Sequence, residues 1–136
     1  EPAGYEETDY FLQLPNPPTA VFCTNDNLAV GMLKRLQEKK LEIPKDIAIV
    51  GFDDLRIASY THVPLTTVSH AQFETGKKAA ERLLKLIENP ALPPKTITLK
   101  PKLIIRESTI GGLSSSKSKI KSVSLKRKNQ YEYVKS

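Results

Sequence analysis

Cysteine, histidine and glycine are scarce in this 136-residue chain, which has one Cys, two His and six Gly. A single thiol excludes an internal disulfide. Cys23 lies in an apolar run, Val21-Phe22-Cys23, and reads as a buried, inert thiol rather than a nucleophile. His62 and His70 fall in different segments, and neither belongs to a His/Cys/Asp spacing that would hold zinc. There is no GxSxG elbow, no glycine-rich phosphate loop and no GxGxxG fingerprint, so the residues of the common hydrolases and nucleotide enzymes are missing and no cofactor is expected. No run of 18 apolar residues occurs, which excludes a conventional membrane helix, and no basic-then-apolar stretch opens the chain as a secretory signal would. The first residue is Glu1 rather than Met, so an upstream part is expected. A free cysteine fits a reducing cytoplasm.

What is present is enough for one core: 39% of the residues are hydrophobic, which over this length builds one compact unit or part of one, not two. The formal net charge of +6 is unevenly placed. Residues 113–136 hold seven Lys and Arg against the single Glu132, and the preceding residues hold 14 of each sign. The basic balance therefore belongs to a Ser- and Lys-rich tail, whose composition predicts disorder, or a basic arm that touches phosphates without reading sequence.

The hydrophobic periodicity predicts alternating elements. Tyr5 to Leu14 reads as a helix ending before Pro15, and Ala20 to Thr24 as a strand. Between Asn27 and Lys40, Leu28, Met32, Leu33 and Leu36 recur at helical spacing, with Asn25 or Asp26 as N-cap. Ile47 to Val50 is a continuous β-branched run, the sign of a strand buried on both faces. Leu65 to Val68 is a short strand. Phe73, Gly76, Ala80, Leu83, Leu84 and Ile87 then form one apolar helical stripe that needs a sheet to lie on. Ile97 to Leu99 and Leu103 to Ile105 are β-type runs separated by Pro101. Strand followed by helix followed by buried strand predicts an α/β fold with a parallel sheet.

Two strand ends concentrate polar side chains: Cys23-Thr24-Asn25-Asp26, and Val50-Gly51-Phe52-Asp53-Asp54. The carboxyl edge of a parallel sheet is where ligands of open α/β folds bind. Asp53 and Asp54 could form an acid/base pair, but neighbours at a strand end point apart, and one of them is expected to cap backbone N–H groups. A carboxylate and an amide suit a hydroxyl-rich or amide-bearing ligand, polyol or purine, better than they suit catalysis. For Asn25 and Asp26 a plain helix cap is an equal reading.

The order of these motifs resembles a known family. Pro18-Thr19-Ala20-Val21-Phe22, Asn25-Asp26 with Leu28-Ala29-Val30-Gly31, Ile43 through Asp54, Pro64-Leu65-Thr66-Thr67-Val68, Gly76 and Arg106-Glu107-Ser108-Thr109 together look like the C-terminal part of the lactose/galactose repressor family of bacterial transcription regulators, over about residues 3–110. The resemblance implies the parallel-sheet half of a two-lobed, type I periplasmic-binding-protein-like fold, without the helix-turn-helix head and most of the N-terminal lobe. Residues 1–69 and 101–110 would belong to the C-terminal lobe, and the helix and linker of residues 72–98 to the N-terminal lobe. It implies a small-molecule effector, a sugar or purine-like compound, bound in an interlobe cleft by Asn25 and Asp53, with His70 and Gln72 where the chain crosses between lobes. It implies a homodimer through the helix bearing Val30 and the loop around Tyr60 and Thr61, operator DNA read only by the missing head, no enzymatic activity and a cytoplasmic location. His70 and Gln72 depart from the family's common Gln and aromatic or aliphatic residues, and Lys40 stands where the family has a helix-ending glycine, so a left-handed cap there would cost roughly 1 kcal/mol. A periplasmic sugar-binding protein of a transport system shares the fold and is the alternative.

Overall fold

The computed structural model describes residues 2–110; the basic tail of residues 113–136 lies outside them. Helix α1 (Pro2–Leu12) leads to strand β1 (Ala20–Phe22), α2 (Asp26–Glu38) and β2 (Ala48–Phe52). A 3-10 turn over Arg56–Ser59 precedes β3 (Thr66–Ser69), followed by α3 (Gln72–Glu88), β4 (Lys102–Ile104) and a last short helix α4 (Glu107–Ile110). The four strands form one sheet in the order β1-β2-β3-β4. The first three are parallel, with Phe22 level with Val50 and Phe52 level with Val68. Strand β4 runs antiparallel to β3 at the edge.

The core lies between α2 and one face of the sheet, built from Cys23, Ala29, Met32, Leu33, Leu36, Ile47, Ile49, Ala58 and Leu65. Helix α1 is fastened to the outer side of α2. Gly4 is needed there because a Cβ would overlap the Leu28 carbonyl. Asp9 accepts from Arg35 at 2.6 Å and pairs with Lys39 at 3.0 Å, and Tyr5 bonds Glu38.

Several elements differ from the sequence expectation. Helix α1 starts at Pro2 because proline is tolerated in a first turn, where its missing N–H would be unpaired anyway. Strand β2 is not buried on both faces: Ile49 and Gly51 are buried, whereas Ala48, Val50 and Phe52 on the other face are half-buried, since nothing among the described residues covers that side fully. Ile97 to Leu99 forms no strand, as no strand among the described residues offers it a ladder. Among the described residues the stripe on α3 lies on no sheet; Phe73 is 80% exposed and Leu83, Leu84 and Ile87 are all above half.

Candidate functional site

Each parallel strand ends at the same edge, so β1, β2 and β3 deliver their following residues together. Asn25, just past β1, has extended backbone and caps α2, its Oδ1 accepting from the Leu28 N–H at 2.9 Å. That is the plain-cap role; its amide nitrogen has no hydrogen-bond partner among the described residues.

Asp53 follows β2 with φ 110, a left-handed conformation that a residue with a Cβ rarely holds. Its backbone N–H donates to Val68 O at 2.9 Å. His70, just past β3, places Nε2 3.1 Å from Asp53 Oδ1 and stacks its ring on Phe52, with centroids 5.4 Å apart and planes 15° from parallel. Gln72 reaches back from the first turn of α3, with Nε2 3.1 Å from His70 Nε2 and 3.4 Å from Asp53 O. Three of the four expected ligand residues thus form one connected group; no hydrogen bond joins Asn25 to them among the described residues, although it stands at the end of the neighbouring strand. Asp53 keeps Oδ2 free of protein partners there and is half-buried, which leaves an acceptor facing the edge. Phe22, 59% exposed, adds an aromatic ring to the same edge.

One expectation is corrected: among the described residues neither Asp53 nor Asp54 caps a backbone N–H with its carboxylate. Asp53 Oδ1 faces His70, while Asp54 Oδ1 accepts from Arg106 Nη2 at 2.8 Å, and Arg106 Nη1 donates to Leu65 O at 2.8 Å. The backbone group after Asp54 is satisfied by Asp26, whose Oδ2 accepts from the Leu55 N–H at 2.7 Å while Oδ1 accepts the Thr67 hydroxyl at 2.6 Å. Asp26 is entirely buried, and Gly51 makes room for it, since a Cβ there would overlap its carboxylate. Sequence reasoning missed Asp26, Thr67 and Arg106 as one unit; the adjacent Asn25-Asp26 pair offered a signal, because a helix needs only one of them as its cap.

Cys23 sits beneath this edge. Burial, with the nearby Asp26 charge adding to it, pushes its thiol up to about 11, so it is an unreactive core group. No cluster of three or more His, Cys, Asp or Glu able to hold a metal ion occurs among the described residues, and no helix there is long and apolar enough to cross a membrane.

Val30, Tyr60 and Thr61 lie apart from the edge. Val30 and Thr61 line a hollow of about 600 Å³ between α2 and the loop after the 3-10 turn, shared with Leu33, Ile57 and Val63, and Tyr60 beside Thr61 is 75% exposed.

Residues 1–109 match the description of a periplasmic binding protein-like domain. The chain belongs to that family. Among its relatives are the ribose operon repressor of Haemophilus influenzae, 44% identical over 91 residues that make up 67% of this chain and 27% of that protein, and the HTH-type transcriptional repressor PurR of Vibrio atlanticus, 38% identical over 74% of this chain and 30% of that protein. The domain spans less than a third of either relative. A LacI family regulator from Enterococcus faecalis, solved with bound ribose, superposes with a TM-score of 0.75 at 34% identity, covering 79% of this chain and 40% of that one. The lac repressor dimer, bound to operator and an anti-inducer, superposes at 0.69 with 31% identity, covering 78% and 37%. The resemblance to the lactose/galactose repressor family is therefore borne out.

Proposed function

We propose that this domain is the C-terminal portion of a bacterial transcriptional regulator that binds a small effector, a sugar or a purine-like compound, at the carboxyl edge of its sheet. The observation that carries this reading is the group around Asp53, in which a strained strand-end carboxylate with one oxygen still available stands beside His70 and Gln72. Asn25 contributes its amide from the adjacent strand end. In this reading the edge is half of an interlobe cleft, and α3 with the segment after it, residues 72–98, belongs to the opposite lobe. That accounts for an apolar stripe which meets no sheet here. Val30, Tyr60 and Thr61 form part of a two-fold homodimer surface, in keeping with the exposed Tyr60 beside a hollow whose lining mixes Val30, Leu33 and Ile57 with Lys34, Gln37 and Glu42. Operator DNA would be read by a helix-turn-helix head outside this sequence, in the cytoplasm, and the domain would carry out no enzymatic step.

Calorimetric titration of the full chain with D-ribose and with hypoxanthine tests the reading. Saturable binding of one of them, weakened at least tenfold in Asp53→Asn, is expected. Binding that Asp53→Asn leaves unchanged would remove Asp53 from the site, and no binding of either compound would overturn the effector classes named.

A further inference from the structure

The turn carrying Asp53 runs through two consecutive left-handed residues, Asp53 at φ 110 and Asp54 at φ 54. Side-chain-bearing residues keep such conformations only where their surroundings over-determine them. Four contacts do so here. The Asp53 N–H donates to Val68 O at 2.9 Å, the Asp54 N–H to Thr67 Oγ1 at 3.3 Å and the Leu55 N–H to Asp26 Oδ2 at 2.7 Å, while Arg106 holds the Asp54 carboxylate at 2.8 Å.

Two of those contacts converge on Asp26. It takes the Leu55 N–H directly and, by accepting the Thr67 hydroxyl proton, turns the Thr67 lone pairs toward the Asp54 N–H. Both partners of Asp26 are donors, so the position requires a side chain that only accepts, which an ionised carboxylate does and an amide does not. Helix α2 does not need it, because Asn25 already caps that helix. Asp26 is fully buried and cannot touch a ligand. Its contacts reach the two residues immediately after Asp53.

We propose that Asp26, acting through Thr67, is the positioning residue for the effector carboxylate: it fixes the direction in which Asp53 presents its free oxygen without contacting the effector itself. The proposal rests on Asp53 being an effector contact, and two measurements separate the two claims. In Asp26→Asn the amide retains an acceptor for Leu55 but presents N–H donors to Thr67, which breaks the relay; Thr67→Val removes the relay and Thr67→Ser restores it.

The first measurement is a set of amide and ring NMR spectra of the ligand-free full chain. Asp26→Asn and Thr67→Val are expected to melt cooperatively, shift the Asp53, Asp54 and His70 signals and weaken the Phe52–His70 cross-relaxation, while Thr67→Ser keeps the wild-type pattern. The second is D-ribose titration, in which Asp26→Asn and Thr67→Val are expected to lose about tenfold or more in affinity, with Thr67→Ser close to wild type. Wild-type Asp53 and His70 signals in both disruptive variants would overturn the proposal, as would unchanged affinity in them alongside a loss in Asp53→Asn. If the wild-type chain takes up no D-ribose, that effector reading fails alone and the ligand-free spectra still decide whether Asp26 positions Asp53. If Asp26→Asn does not fold, the Thr67→Val and Thr67→Ser pair decides.

Discussion

Replacing Lys40 with glycine should stabilise the fold. Helix α2 ends in a Schellman arrangement: Lys39 is the C-cap at φ −77, Lys40 turns to φ 59, its N–H donates to Gln37 O at 3.0 Å, and the Leu41 N–H donates to Leu36 O at 3.0 Å. The turn brings Leu41 back against the core, so the chain cannot relax Lys40 without giving up both bonds and that contact. A left-handed residue with a Cβ is disfavoured by roughly 1–2 kcal/mol relative to glycine. The extra freedom of glycine in the unfolded chain takes back about 0.4–1 kcal/mol. The Lys40 side chain is exposed and makes no salt bridge among the described residues, so its loss subtracts only the weak attraction of a cation to a helix end, about 0.3 kcal/mol. The net gain at the middle of these ranges is about 0.5 kcal/mol, with an upper limit of about 1.3, or an increase on the order of 2–10 °C in melting temperature for a domain of this size. Thermal melts followed by circular dichroism should rank Lys40→Gly above wild type and Lys40→Ala, which keeps the Cβ, level with wild type. Lys39→Gly, one position earlier at an ordinary φ, should bring no gain. A Lys40→Gly melting temperature at or below that of Lys40→Ala would refute the reasoning.

Two other expectations concern ionisable groups. Hydrogen bonds from Arg35 and then Lys39 hold the Asp9 carboxyl below its ordinary value of 3.8, so its contribution to the α1–α2 contact is complete above that value and is lost as pH falls through the depressed one. The difference in melting temperature between wild type and Asp9→Asn should be steady from pH 5 to 7 and shrink below pH 4; a difference independent of pH would remove the ion pair as its cause. Cys23, buried and with its thiol pushed up to about 11, should react with a disulfide reagent at pH 8 only as fast as the fold opens, so labelling in rising urea should track global unfolding. Fast labelling in the absence of denaturant would refute its burial.

Much of the fold was legible because its signals are local. The spacing of Leu28, Met32, Leu33 and Leu36 located α2, the β-branched run located β2, and three of these four helix residues, Met32, Leu33 and Leu36, are in the buried core. The helix-ending position at Lys40 came from the family resemblance rather than from a local signal, and the structure gives it φ 59. The expected burial of β2 on both faces failed because composition records what a strand can tolerate, not what covers it; the same holds for Ile97 to Leu99, whose β character cannot create a neighbouring strand. At the candidate site, Asp53 stood out at a strand end, whereas His70 and Gln72 came from the family resemblance alone; the structure sets the three within hydrogen-bond distance of one another. The support beneath them was not found. The Asp26 bonds to Leu55 and Thr67 span 29 and 41 residues and the Arg106 bond to Asp54 spans 52, distances over which no periodicity or capping pattern carries information.

The positions of unusual backbone separate stability from function in this domain. Of the four non-glycine residues with positive φ among the described residues, Lys40 lies at a helix end remote from the sheet edge, while Asp53, Asp54 and Ala71 surround the candidate site. Glycine would relieve the conformation at any of them, yet the consequences differ. At position 40 the strain would go at the cost of only a weak cation–helix attraction and the freedom of glycine in the unfolded chain. At position 53 the same change would delete the carboxylate that faces the edge, and at position 54 it would delete the partner of Arg106 and loosen the turn that aims its neighbour. Strain that a single common substitution could remove, held instead by a buried carboxylate, a threonine relay and an arginine, is what a site needs when its side chain must point in one direction. Asp53→Gly should therefore gain stability on the backbone term while losing effector binding, the opposite of a substitution in the core, where the two fall together.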